Sequence, residues 1–320
     1  MSDTDGQQDK IEVALLGLIG PTVTEPLFRK YKVHAVHAAA DPMAALKAVG
    51  PRIRGAVSHG MAGLSRAQME LMPNLEICAI HGVGLETSDV AFARERGVVI
   101  TIAPVLYDDV GDIALGLALA ACRRISEGDR YVRAGKWLQA RMPPGRKLTG
   151  MRAGIIGLGR IGIEIARRLE GFRCRIGYSD PVVRDVPYRH FPDAVALARE
   201  SDILFLAAAG APKGKAPPIV DRAVIEALGP RGIFVNVARG WLADEAALVD
   251  ALANGRLGAA GLDVFVDEPE VPAALLKLDN VVLTPHVASS TEETLKAMGA
   301  CVIDNLDSWF AGRGALTPVT

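Results

Sequence analysis

The chain is poor in cysteine, in aromatic residues and in any surplus of charge, and each shortage closes off a class of function. Four cysteines, Cys78, Cys122, Cys174 and Cys301, are scattered through 320 residues without a C-x-x-C pair. That spacing argues against a zinc site and against a disulfide framework, so they read as reduced, mostly buried thiols and no metal is expected. Aromatic residues make up 5% of the chain, and 36 basic residues face 37 acidic ones. Charges that nearly cancel leave no field to draw in nucleic acid or an anionic membrane. The longest apolar helical run, Val110 to Cys122, is interrupted by Asp112 and falls well short of the roughly 20 residues that cross a bilayer. The N-terminus, Met1 to Lys10, is polar and acidic, so the apolar run Val13 to Ile19 lacks the positive flank and small-residue cleavage site of a signal peptide. The expectation is a cytoplasmic protein whose partner is a small molecule.

Glycine, by contrast, is plentiful, at 33 residues. G-x-G-x-x-G arises by chance in such chains, but at Gly157, Gly159 and Gly162 its context is specific. Ala153 to Ile156 is a short apolar run, and Ile161 to Leu169 has apolar residues at helical spacing, so the glycines lie between a strand and a helix. A dinucleotide pyrophosphate binds at such a junction. Gly157 permits the tight turn, Gly159 lets the backbone approach the phosphates, and Gly162 lets helix and strand pack closely. A second glycine loop, Gly17-Leu18-Ile19-Gly20, mimics this one, but no helix-forming stretch is expected directly after it because Pro21 interrupts.

Strand-like runs alternate with helical stretches along the whole length. The first series is Ile11 to Leu18, Lys32 to Val36, Gly55 to Val57, Glu76 to Ala79 and Val98 to Ile100. The second begins at Ala153 and passes through Ile176, Ile203 to Leu206, Ile233 to Val237, Ala259 to Val264 and Val281 to Leu283. Alternation of this kind indicates α/β architecture with two doubly wound parallel sheets. Because the fingerprint opens the second series at mid-chain, a Rossmann coenzyme domain is expected to be inserted into a flavodoxin-like one. The segment Asp108 to Arg124 is apolar around most of its circumference, more than a surface helix shows, which suggests a connector buried between domains.

Three further segments stand downstream of the fingerprint: Asn236-Val237-Ala238-Arg239-Gly240, Gly261-Leu262-Asp263-Val264-Phe265 with Glu268-Pro269, and Thr284-Pro285-His286-Val287-Ala288-Ser289. Arg239 follows a strand at the carboxyl edge of a sheet, where ligands of such folds bind. Its guanidinium stays charged and can fork across carboxylate and carbonyl oxygens. His286 also follows a strand, and only imidazole titrates near neutral pH without large perturbation. Three carboxylates, Asp267, Glu268 and Glu270, crowd one loop, and the residues alone do not choose among them.

From about Leu75 onward these motifs, in this order, resemble the D-isomer-specific 2-hydroxyacid dehydrogenases, and most of all hydroxypyruvate/glyoxylate reductases and hydroxyphenylpyruvate reductases. The resemblance implies an oxidoreductase that reduces a small 2-keto acid of the hydroxypyruvate/glyoxylate class to its D-2-hydroxy acid with a nicotinamide cofactor. It selects Glu268 as the partner that would fix the His286 tautomer and favour the acid form, beside Arg239 as the carboxylate clamp. It implies coenzyme contacts from Gly157, Gly159, Arg160, Ile161, Gly162, Ser179, Asp180, Ala238, Asp263 and Ser289, and substrate contacts from Val83, Gly84, Arg239 and His286. It further implies a substrate domain of residues 1–103 and 288–320, a dinucleotide-binding domain of residues 104–287, and a homodimer. His59 and His81 read as pocket lining or surface.

Two departures from the family pattern are visible. Ile102-Ala103-Pro104 replaces the common Asn-x-Pro, with Tyr107 where threonine is frequent, and Gly210-Ala211-Pro212 replaces Pro-Leu-Thr. Asp180, at about the expected 20 residues past the fingerprint, favours NAD(H) because a carboxylate there would repel a 2′-phosphate. Arg160 and Arg184 keep NADP(H) possible. Alternatives of the same fold are a dinucleotide-sensing regulatory protein, a D-3-phosphoglycerate or formate dehydrogenase, and a dehydrogenase for a bulkier aromatic 2-keto acid.

Overall fold

A computed structural model of the protein describes residues 10–320; the polar stretch expected at Met1 to Lys10 lies, but for Lys10, outside the described residues. The chain forms two compact units, one of the described residues up to Leu106 with Thr291–Thr320, the other of Tyr107–Ser290.

In the first unit, strands β1 (Glu12–Leu15), β2 (Lys32–His34), β3 (Gly55–His59), β4 (Ile77–His81) and β5 (Val99–Thr101) form one sheet in the order β2-β1-β3-β4-β5. All pairings are parallel, which is the flavodoxin-like order. Both faces are covered, as a parallel sheet requires. Leu46, Ile53, Met69 and Met72 pack on one face with Ala14, Ala56 and Cys78. On the other, Val302, Ile303 and Leu306 of the helix Glu292–Phe310 pack with Val13, Leu15, Val57 and Ile77. The first strand is shorter than the run from Ile11 to Leu18, and a helix does follow it: Pro21–Lys30 starts at Pro21 itself. Proline at the first helical position loses nothing, because that N–H has no intrahelical acceptor. The Gly17 loop is nevertheless no phosphate cradle, for a Cβ on Gly17 would meet the His59 ring at 2.5 Å.

In the second unit, β6 (Arg152–Ile156), β7 (Arg175–Ser179), β8 (Arg189–His190), β9 (Ile203–Leu206), β10 (Ile233–Asn236), β11 (Ala259–Leu262) and β12 (Val281–Leu283) give the order β12-β11-β10-β9-β6-β7-β8. Counted from β6, this is the 3-2-1-4-5-6 Rossmann order with a seventh parallel strand. The strands β9 and β10 are buried throughout, as central strands covered on both faces should be. The two-residue β8 had no counterpart in the apolar pattern.

The apolar circumference noted at Asp108 to Arg124 has an explanation inside this unit. The helix Tyr107–Arg123 buries Val110, Ala114, Leu115, Leu117, Ala118 and Ala121. A Cβ on Gly261 of β11 would lie 2.8 Å from the Leu117 Cβ, so glycine there lets helix and sheet close together. The neighbouring helix Arg160–Gly171 supplies Arg168, whose Nε donates to Asp112 at 2.6 Å. No described helix is long and apolar enough to cross a membrane.

Candidate active site

The fingerprint glycines are each required by geometry. Gly157 has φ +87°, and a Cβ there would fall on the Ala208 backbone; a Cβ on Gly162 would fall on the Gly157 carbonyl oxygen. Gly159 differs, being the N-cap of the helix Arg160–Gly171 with no atom within 4 Å of its Cβ position. Its side is open, so a bound group can approach the backbone N–H groups at the helix start, where the macrodipole favours an anion. The arrangement fits a dinucleotide pyrophosphate. Beside it, Arg160 Nη1 donates to the Tyr107 hydroxyl at 2.6 Å, and Ile161 is half-buried in the first helical turn. The Ser179 carbonyl accepts from the Gly157 N–H at 2.9 Å. Asp180 is turned toward the loop: its Oδ2 accepts from the Leu158 N–H and its Oδ1 from the Val182 N–H, both at 2.9 Å, with Arg184 Nη2 3.7 Å away.

At the carboxyl ends of β10, β11 and β12 the unit brings Arg239, Glu268 and His286 together. Asn236 ends β10 and pins the turn after it. Its Oδ1 accepts from the Ala238 N–H at 3.0 Å and its Nδ2 donates to the Arg239 carbonyl at 3.1 Å. Arg239 Nη1 donates to the Ala238 carbonyl at 2.7 Å. Gly240 is needed next, because any Cβ would strike the Phe265 carbonyl. That close approach sets the Arg239 turn against the loop carrying Glu268.

Of the three crowded carboxylates only one reaches the imidazole. Glu268 Oε2 lies 2.6 Å from His286 Nδ1, and its Oε1 accepts from the Phe265 N–H at 2.9 Å. Asp267 turns outward to the Lys213 ammonium at 2.5 Å. Burial would push the Glu268 carboxyl up, but the bond to His286, the Phe265 N–H and the charges of His286 and Arg239 together hold it below the usual carboxylate range. With Nδ1 engaged by Glu268, His286 Nε2 is the nitrogen left to meet a substrate.

His286 sits at φ +51°, a region a non-glycine residue occupies only when its surroundings hold it there. Asp263 does the holding. It is fully buried; its carbonyl accepts from the His286 N–H at 2.8 Å, and its carboxylate accepts from Thr284 Oγ1, the Val287 N–H and the Ala288 N–H at 2.6 to 2.9 Å. Ser289 follows on the same turn. Sequence reasoning missed three supports: Asn236, Thr284 and Glu245, whose Oε1 accepts from the Val266 N–H at 3.1 Å. The positions of Asn236 and Thr284 within their motifs could have signalled those two; nothing in the sequence marks Glu245. Val83 and Gly84 lie in the other unit, in the loop after β4.

A glycine-loop dinucleotide cradle on one sheet, with a cation, a carboxylate and an imidazole at its carboxyl edge, defines a coenzyme-dependent oxidoreductase. Comparison with known proteins agrees. The model of the D-isomer specific 2-hydroxyacid dehydrogenase NAD binding domain matches residues 115–288. The chain is 46% identical over 269 residues to glyoxylate/hydroxypyruvate reductase A of Arabidopsis thaliana, covering 83% of this chain and 85% of that one. It is 39% identical to the 2-ketogluconate reductase of Gluconobacter oxydans, covering 97% and 99%. The structure of the NADPH-dependent glyoxylate/hydroxypyruvate reductase of Sinorhizobium meliloti, in complex with NADP and malonate, superimposes with a TM-score of 0.87 at 38% identity, covering 97% of each chain. The chain belongs to the D-isomer-specific 2-hydroxyacid dehydrogenase family, and it is an NAD(P)-dependent oxidoreductase.

Proposed function

We propose that the protein reduces a small 2-keto acid of the glyoxylate and hydroxypyruvate class to its D-2-hydroxy acid, with Arg239, Glu268 and His286 as the working residues. The 2.6 Å contact between His286 Nδ1 and Glu268, beside Arg239, carries this reading. The reduced nicotinamide supplies the hydride when bound. Arg239 spans the substrate carboxylate and ketone oxygen, so that positive charge faces the oxygen as it gains electron density. His286 delivers a proton from Nε2 to that oxygen, while Glu268 fixes the ring and offsets the imidazolium charge. Val83 and Gly84 would offer backbone N–H groups to the carboxylate. Gly157, Gly159, Arg160, Ile161 and Gly162 would hold the pyrophosphate, with Ala238, Asp263 and Ser289 on the nicotinamide side. In this reading residues up to Leu106 serve the substrate and the Tyr107–Ser290 unit the coenzyme. Oxidation of NADH and NADPH against glyoxylate, hydroxypyruvate, pyruvate and 4-hydroxyphenylpyruvate tests it; turnover of none of the four would refute it.

The coupling of Glu268 to His286 sets a pH dependence. The Glu268 carboxyl is held low in part by its bond to His286, and a carboxylate beside an imidazole in general favours the protonated ring. Glu268→Gln removes that carboxylate. The falling limb of log kcat/KM for reduction is then expected to move to lower pH, and an unmoved limb would take Glu268 out of the mechanism.

Coenzyme choice is a separate question. Because the Asp180 oxygens hold the Leu158 and Val182 amides, Asp180→Ala is expected to weaken NADH and NADPH alike by loosening the phosphate loop. A selective gain in kcat/KM for NADPH would instead mean that the carboxylate repels the 2′-phosphate.

A homodimer is supported by the segment after the helix Tyr107–Arg123, where Ile125, Val132, Trp137 and Leu138 are all exposed, Leu138 at 94%. Four unpaired thiols fit a cytoplasmic location. Burial pushes Cys78 up to about 12 and Cys122 up to about 11, so neither suits nucleophilic work.

A further inference from the structure

Within the second unit, the helix Tyr107–Arg123 lies alongside the fingerprint helix Arg160–Gly171, and Arg168 of the latter fastens the two together. Beyond its bond to Asp112, its Nη2 donates to the Asp108 carbonyl at 3.0 Å. Gly111 leaves room for that guanidinium, because a Cβ there would come within 2.9 Å of Arg168 Nη1. The first residue of one helix, Tyr107, is thereby held beside the first residue of the other, Arg160.

Arg160 is exposed, and both contacts that its guanidinium makes among the described residues come from Tyr107. Its Nη1 donates to the Tyr107 hydroxyl at 2.6 Å, and its Cζ stands 5.4 Å from the centre of the Tyr107 ring. A guanidinium carries five N–H donors, so the bond to the hydroxyl leaves most of them for an anion. The pair lines an open cleft of about 680 Å³ that also includes Gly159, Glu164 and Arg184, and the open side of Gly159 is where the fingerprint admits a phosphate. An arginine that swings freely gives up rotamer freedom when it grasps a phosphate, and one already held gives up less. Threonine, frequent in the family at the position of Tyr107, could not make this contact, since its hydroxyl on Cβ stops a ring's length short.

We propose that Tyr107 is a positioning residue for the coenzyme: its hydroxyl presets the Arg160 guanidinium to meet the pyrophosphate, and so tightens coenzyme binding before any chemistry. The proposal rests on the reading of the loop Gly157 to Gly162 as the pyrophosphate cradle. Fluorescence titration with whichever of NADH and NADPH binds the native protein more tightly tests it without substrate or turnover. Arg160→Gln is expected to raise the Kd about 10-fold, because a charge-assisted bond to phosphate is lost. Tyr107→Phe keeps the ring and removes only the hydroxyl, and should raise the Kd about three- to tenfold. Because the two side chains act as one unit, adding Tyr107→Phe to Arg160→Gln should change the Kd by less than about twofold. ADP-ribose should weaken with the coenzyme in Tyr107→Phe, whereas adenosine, which carries no phosphate, should keep its native Kd, as it would not if the substitution merely damaged the pocket. A native coenzyme Kd in Tyr107→Phe, effects that simply multiply in the double variant, or an equal loss of adenosine affinity would overturn the proposal. A native Kd in Arg160→Gln would overturn it together with the assignment of Arg160 to the phosphates. Failure of the native protein to bind either coenzyme would instead overturn the cradle reading on which it rests.

Discussion

Replacing His286 with asparagine should lower kcat for keto-acid reduction about 100- to 10,000-fold, the usual worth of a positioned proton donor, while the coenzyme binds as before. Asparagine is the informative substitution because His286 is held at φ +51°, and asparagine tolerates that conformation better than alanine does. The N–H to the Asp263 carbonyl survives the change, so the turn it anchors should persist. Fluorescence titration with reduced coenzyme measures the binding, and single-turnover kinetics the chemical step. Near-native turnover would remove His286 from proton delivery, and loss of coenzyme binding would show that its role is structural.

Arg239→Lys keeps the charge and is expected to lose about 100-fold or more in kcat/KM. A point cation cannot fork across two oxygens, and a misplacement of about 1 Å at the reacting centre costs about 100-fold. The turn itself should stay intact, since Asn236 grips it through the Ala238 N–H and the Arg239 carbonyl, both backbone groups. Equal kcat/KM in the lysine variant would mean that Arg239 does not clamp the carboxylate.

Much of this is legible in the sequence alone. The fingerprint declared itself because Gly157 needs a positive φ and Gly162 packs on the Gly157 carbonyl, and strands such as Ile203–Leu206 and Val281–Leu283 are runs with no competing pattern. The short edge strand Arg189–His190 lacks an apolar run and is held by its pairing to β7. Pro21 looks like a barrier in the sequence yet opens the helix Pro21–Lys30, because proline is tolerated at the first helical position. Within the site, three neighbouring acids look alike until tertiary contacts separate them, with Lys213 taking Asp267 while Glu268 turns to His286. The duty of Asp263 was equally hidden. Its bonds run to Thr284, Val287 and Ala288, more than twenty residues away, and no local pattern reports such a pairing. Asp180, whose place suggests a ribose contact, has a further duty that the sequence hides: its oxygens hold the Leu158 and Val182 amides of the phosphate loop.

The most direct test of the account follows the hydrogen. Reduction of hydroxypyruvate with reduced coenzyme deuterated at the transferable position should give glycerate of the D configuration only, carrying one deuterium at carbon 2, in the native enzyme and in the residual product of His286→Asn. Hydride transfer governed by this site requires that outcome. L-glycerate, a racemic mixture, or product without deuterium at carbon 2 would contradict it.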